Sequence, residues 1–368
     1  MTAPRVSRRW FVASLAAATC AAQSTTRGRT LPSVAVRYTD PATEFTVLRL
    51  TDPQFTSSLP ASGNRGVTSR QLLYASDLAG SWQAFRMDLK NKESRQLTEA
   101  ERLDPASIGL LGNEKGFWHF DGPRLLQTSF PTLKEREVYG VPDGFERLPG
   151  VSYSDDGQYA AFVEKGSSRY RLRLLHGQRG GAKTLVESAE ELRDPLIRPR
   201  YGSLLYRTRG ELWTVRFDGQ QSRRLPLPEG ETLQAQWTAD GHALEYLNRP
   251  ADPKKLTALR EWTPDSGAGP GRDARIADTS QFVRFQANSD ASVFVGASGS
   301  KASPYLLLLI RSANRELTLA EHRASDASLV TPAFSPNSQF VVFVSDRHGK
   351  PAIYWIAVDK LVTETDGS

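Results

Sequence analysis

Residues 330–359 read VTPAFSPNSQFVVFVSDRHGKPAIYWIAVD, and this stretch decides the fold. Two short runs within it, 339–344 and 352–358, are rich in Val, Ile, Phe, Tyr and Trp and have the length and composition of strands. Ser335-Pro336-Asn337-Ser338 is a turn signal ahead of the first run, and 345–351 (SDRHGKP) is a longer loop between the two. A short strand, a tight turn, a strand, a loop and a strand make an antiparallel meander. Such a sheet cannot cover both of its faces by itself, so further copies are expected along the chain.

The copies are present. VSYSDDGQYAAF (151–162) and QWTADGHALEY (236–246) repeat the turn and second strand, and FQANSDASVFV (285–295) does so more weakly. SLLYRTRGELWTVRFDG (203–219) and QLLYASDLAGSWQAFRMDL (71–89) repeat the second strand, loop and third strand. A closing segment recurs as SRQLT (94–98), SRRLP (222–226) and RELT (315–318). Seven units begin near Gln54, Leu103, Leu148, Glu191, Glu231, Ser280 and Leu329. Their spacing of about 35–50 residues suits four-stranded propeller blades. The expected fold is all-β: a seven-bladed β-propeller of four-stranded antiparallel blades over residues 45–368.

The ends of the chain bear on closure. EFTVLRLT (44–51) has the character of an outer blade strand with no inner strands before it, whereas the last unit lacks a strong fourth strand after Val358. The N-terminal strand is therefore expected to complete the last blade, which removes a free sheet edge. Residues 1–22 read as an export signal: Arg5, Arg8 and Arg9 precede an apolar run of small residues, 11–22, too short to span a bilayer. Ser7-Arg8-Arg9-Trp10-Phe11 looks like a twin-arginine signal, with an ordinary secretory signal as the other reading. The only cysteine, Cys20, either carries a lipid anchor or is lost on cleavage. Residues 23–44, rich in Ser, Thr and Arg, read as a disordered linker. The expected location is exported, periplasmic or secreted.

The formal net charge is +6, and loss of residues 1–22 removes three arginines and no acids, leaving +3. No Lys/Arg run of five or more occurs, so nucleic acid is not expected as a partner, and no apolar run after the leader approaches membrane length, the longest being 305–310, so no membrane span is expected. Without internal disulfides, stability must come from core burial, which a chain of 368 residues can supply.

The Ser-Pro-Asn-Ser turn, the Ser-Asp-Arg-x-Gly loop and the Ile-Tyr third strand resemble the WD40-like repeats of TolB-type propellers. DPATEFTVLRLTD (40–52), EVYGVPDGF (137–145) and the last unit are similar to segments of the oligogalacturonate lyases, pectin-degrading propellers of seven blades. That resemblance implies β-elimination on acidic sugar chains. A metal held by histidines would polarise the uronate carboxylate, and a histidine base would take the adjacent proton. It also implies where those histidines stand, at the entries of the innermost strands. Here those positions hold Gln234, Arg284, Leu329 and Thr331. The five histidines (His119, His176, His242, His322 and His348) show no ligand spacing, and an arginine repels a cation. No nucleophile elbow, phosphate-cradling glycine loop or cysteine pair occurs either.

The expectation is thus a non-catalytic propeller with no metal or other cofactor, its ligand an acidic oligosaccharide, a peptide or a protein partner. The runner-up is a divergent lyase, which would bring a divalent metal with it. Candidate ligand-binding residues at the channel mouth are Arg198, Arg200, Gln234, Trp237, Arg284, Thr331, Arg347 and His348, since guanidinium forks suit carboxylates.

Overall fold

The computed structural model describes residues 26–265, 269 and 271–363. The expected leader and Cys20 lie outside these residues. Seven antiparallel sheets follow one another around a ring. Five hold four strands each, and the first and last hold five. The third blade shows the plan: Glu146–Tyr153 innermost, then Tyr159–Lys165, Tyr170–His176 and Ala182–Ser188 outermost. Among the described residues, helix is confined to two single 3-10 turns, Pro105–Ser107 and Ala327–Leu329, and to Asp359–Thr363. No helix among the described residues is long and apolar enough to cross a membrane.

The opening stretch behaves as its composition requires. Phe340–Ser345 is buried along its whole length because each of its faces meets a different blade. Val341 and Phe343 pack with Val295 and Leu308 of the sixth blade, while Phe340, Val342 and Val344 pack with Leu72 and Tyr74 of the first. Period-two alternation therefore sorts side chains between two seams, and both sets must be apolar. Seven such apolar clusters fill the seven seams.

Ring closure is as expected. Thr46–Arg49 pairs with Ala352–Ala357 in the register Val47↔Ile356, Leu48↔Trp355 and Arg49↔Tyr354, completing the last blade. The reading of residues 23–44 as a linker is corrected by two strands that lie within it. Thr30–Leu31 pairs with Ser94–Gln96 as a fifth strand of the first blade. Val36–Thr39 then pairs with Thr46–Arg49 as a fifth strand of the last. The segment is anchored by polar groups, not by an apolar pattern: Gly28 N–H donates to Gln96 O and Arg27 pairs with Glu135 at 2.9 Å. Asp40, fully buried, caps the following turn by accepting from Ala42 N–H and also accepts from Glu321 N–H.

Candidate functional site: a blind cup in the channel

Innermost strands enter at one end of the channel and turn outward at the other. At the entry end the channel opens into a cavity of about 340 Å³. Its floor comes from the first blade, whose inner strand is broken. Ser57–Ser58 pairs with Ala75 and Ser76, and the ladder resumes only where Leu73 N–H donates to Gly66 O and Val67 bridges Leu72. Residues 59–65 leave the sheet and cross the channel. Ser62 accepts from Gln234 Nε2 of the fifth blade at 2.9 Å. Asn64 donates to Val151 O at 3.0 Å and accepts from Tyr153 N–H at 3.1 Å, both in the third blade. Arg65 O accepts from Leu110 N–H of the second blade at 2.8 Å. Gly63 sits at φ +89, and a Cβ there would lie 2.6 Å from Leu196 Cδ1 of the fourth blade, so both conformation and space call for glycine. Nothing in 59–65 has strand periodicity, and only its Pro, Gly and Asn residues signal the departure.

The wall carries three of the sequence candidates: Gln234, Arg284 and Thr331. Gln234 is buried and fully engaged. Its Nε2 donates to Phe285 O as well as to Ser62, and its Oε1 accepts from Phe285 N–H at 3.0 Å. Arg284 is fixed by its Nε, which donates to Ser328 O at 2.9 Å; its two Nη groups make no hydrogen bond among the described residues, though the exposed carboxylate of Asp326 lies close enough to feel the guanidinium charge. Thr331 is half-buried on the lip of the seventh blade. Leu329 projects beside it, 44% exposed, an apolar group where an imidazole was in question.

Sequence reasoning missed Arg207, which also lines the cavity. Although only 8% exposed, it is charged. Its Nε donates to Asp194 Oδ2 at 3.2 Å and its Nη1 to Gly210 O at 3.2 Å, leaving the other Nη without a partner among the described residues. Asp194 sits at φ +51 on the lip, its carboxylate 62% exposed. The Arg-x-Arg-Gly hairpin around Arg207 was legible as a turn, but nothing in it says that this side chain points inward.

The other five candidates are elsewhere. Arg198, Arg200 and Trp237 were expected at the mouth but lie at the opposite end, where inner strands turn outward. Arg198 Nε donates to Gly241 O at 2.6 Å, and its guanidinium lies 3.8 Å from the ring centre of Tyr201 and 5.0 Å from that of Trp237. Arg200 occupies the same turn at φ +59. Arg347 and His348 are at the entry end but do not line the cup. Arg347 is a buried strut, its Nη1 donating to Tyr38 OH at 3.0 Å and to Glu321 O at 2.6 Å, with buried Asp40 at 3.4 Å. His348 bonds Tyr354 OH through Nδ1 at 2.8 Å and packs edge-on against Tyr38; burial lowers its pKa, aided by Arg347.

None of the five histidines lines the cavity. His119 is wholly buried between the first and second blades, and burial pushes its pKa down to about 3. His322 is held in the core by Ser298 O and Ala324 N–H. Among the described residues, no group of three or more His, Cys, Asp or Glu could hold a metal ion.

No family model matches the chain. In sequence it is 24% identical to the oligogalacturonide lyase of Pectobacterium atrosepticum, across 89% of this chain and 97% of that one. It is 21% identical to the oligogalacturonate lyase of Dickeya dadantii, across 86% and 94%. A solved oligogalacturonate lyase in complex with manganese superposes with a TM-score of 0.84 at 21% identity, covering 90% of this chain and 98% of that one. The oligogalacturonate lyase of Vibrio parahaemolyticus superposes with a TM-score of 0.82, also at 21% identity and with the same coverage.

The manganese of that relative raises the question of fit, and the cup does not suit it. Gln234 has committed its amide oxygen to Phe285 N–H, Arg284 brings a fixed positive charge, and Asp194 is engaged by Arg207. Thr331 supplies one neutral hydroxyl, whereas a divalent cation needs several converging anionic or imidazole donors. In sequence along most of its length, and in its seven-bladed fold, the chain is thus similar to the oligogalacturonate lyases, and no histidine lines its cup among the described residues.

Proposed function

We propose that the protein binds a short acidic oligosaccharide in the cup and does not cleave it. The observation that carries this reading is Arg284: its Nε is tied to Ser328 O, so its two Nη groups, which no described residue hydrogen-bonds, are presented as a fork, with only the exposed Asp326 carboxylate nearby. A fork of that kind matches a uronate carboxylate and needs no metal to do so. Arg207 adds a second guanidinium from the fourth blade, so the lining carries two cations against one carboxylate, Asp194.

Cleavage by β-elimination needs a base within reach of the proton beside the carboxylate. Gln234 cannot accept a proton at neutral pH, and its amide is already satisfied on both sides. Asp194 is the one carboxylate among the described lining residues, and it is bonded to Arg207. Binding therefore has its groups in place, whereas proton abstraction lacks one. Taken with the leader-like residues 1–22, the reading is of an exported binding protein. The similarity to the lyases over most of the chain supports acidic sugars as the ligand class, and it keeps a divergent lyase as the second reading.

The test is calorimetric titration with trigalacturonate in the presence of a chelator, together with ultraviolet detection of unsaturated uronate products in a parallel assay without chelator and with added manganese. Saturable binding that Arg284→Ala abolishes, with no product formed, is the expected result. Product formation by the wild type would replace this reading with the lyase. Absence of binding would remove both.

A further inference from the structure

A second cavity, of about 170 Å³, shares no lining residue with the cup and lies in the seam between the first and last blades. The N-terminal segment roofs it. After Thr30–Leu31 has paired on the first blade, the chain crosses to Val36–Thr39 on the last, and Leu31, Pro32 and Val34 overhang the gap. Phe55, Tyr74 and Leu78 form the walls. Val34 is 46% exposed and Phe55 36%, so the slot opens to solvent past apolar side chains.

The hydroxyls in its walls are occupied. Tyr74 OH donates to Ser94 Oγ at 2.8 Å, Ser57 Oγ to Ser76 Oγ at 3.2 Å, and Ser76 Oγ to Thr56 O at 2.9 Å. The slot thus offers its occupant an apolar body with almost no hydrogen-bonding demand. Charge enters only at the ends. Lys92, in the hairpin between the third and fourth strands of the first blade, borders one end. Its ammonium donates to Leu89 O and lies 5.6 Å from the ring centre of Trp355, which leaves N–H groups over; the carboxylate of Asp88, at the start of the same hairpin, acts on it only through space, with no salt bridge between them. Asp52 borders the opposite end, where the ring-closing strand leaves its blade, and accepts from Gln54 N–H.

We propose that this slot binds a small amphiphile carrying one carboxylate, such as a medium-chain fatty carboxylate. Its tail lies under Val34 against Phe55 and Leu78, and its head meets Lys92. The polarity of the ends sets the orientation: an ammonium attracts the carboxylate, and Asp52 repels it from the other end. The site is separate from the cup and does not depend on the nature of the ligand there.

The experiment is calorimetric titration of the purified protein with octanoate and with octan-1-ol. Both probes are expected to saturate at one site, octanoate more tightly. Lys92→Met should weaken octanoate about tenfold and leave octan-1-ol unchanged, while Lys92→Arg keeps the preference. Val34→Trp, a change at an exposed position that fills the mouth of the slot, should weaken both. Any of three results overturns the proposal: no saturable binding of either probe, octanoate affinity indifferent to Lys92→Met, or binding of both probes indifferent to Val34→Trp.

Discussion

Gln234 and Phe285 are joined by a reciprocal pair of hydrogen bonds across two blades: Nε2 donates to the Phe285 carbonyl at 2.9 Å, and Oε1 accepts from the Phe285 N–H at 3.0 Å. The amide thereby substitutes for a backbone partner that the inner strand of the sixth blade would otherwise lack. Gln234→Ala should destabilise the fold by about 2 kcal/mol, because it leaves both buried backbone groups unsatisfied. Urea denaturation measures this. A variant as stable as wild type would show that water replaces the amide at no cost.

Manganese provides a direct check on the cup. A ligand that binds only the native state at a hundred times its Kd raises stability by about 2.7 kcal/mol, a shift of several degrees in Tm. Excess manganese or zinc should leave the Tm unchanged, with or without trigalacturonate. A rise removed by Thr331→Ala would mean that the cup gathers metal donors after all.

Glu245 predicts a pH dependence. It lies wholly buried in the second strand of the fifth blade, faces Glu261 and Arg311, and has one donor, Gln236 Nε2 at 2.9 Å, while its Oε1 has no partner. Burial raises its pKa from 4.5 to about 7, and the Gln236 hydrogen bond only partly offsets this. The folded value exceeds the unfolded one, so the neutral acid's contribution is fully present below 4.5 and is lost as pH rises through about 7. Across that window wild type should lose about 3 kcal/mol relative to Glu245→Gln. Denaturation midpoints of the two proteins, compared at mildly acidic and mildly alkaline pH, test this; parallel pH profiles would refute it.

The N-terminus should show two grades of importance. Deleting residues 1–35 removes the strand on the first blade and the Arg27–Glu135 pair but leaves the ring closed, and should lower the Tm by about 5 °C. Deleting residues 1–50 also uncovers the edge of Ala352–Ala357 and takes away Val47 and Leu50, both 0% exposed. Burial of each is worth about 2 kcal/mol, so this deletion should be several times more damaging. Equal melting temperatures for the two truncations would show that closure by Thr46–Arg49 contributes little.

The blades were legible because a strand packed on both faces must be apolar throughout, and runs such as 340–344 admit few other readings. Ring closure was legible from a mismatch, an orphan outer strand at one end and an incomplete blade at the other. The outermost strands Thr30–Leu31 and Val36–Thr39 were not, since they are short, exposed and fixed by polar anchors that leave no periodicity. In the cup, the resemblance to the lyases pointed to Gln234, Arg284 and Thr331 but could not say that Gln234 was already engaged. Arg198, Arg200 and Trp237 were misplaced because strand exits were taken with strand entries. Arg347 lay at the correct end, but its partners Tyr38 and Asp40 come from the segment read as a linker.

The N-terminal segment also gives the ring a mechanical character. One end of the chain lies first on the outer edge of the first blade, then on that of the last, and only then forms the closing strand. This is a lap joint, overlapping both sides of the seam. A pull on the N-terminus must strip Thr30–Leu31 and then Val36–Thr39 before it loads the pairing of Thr46–Arg49 with Ala352–Ala357. The two outer strands are thus sacrificial, and the ring parts only after both have been peeled away.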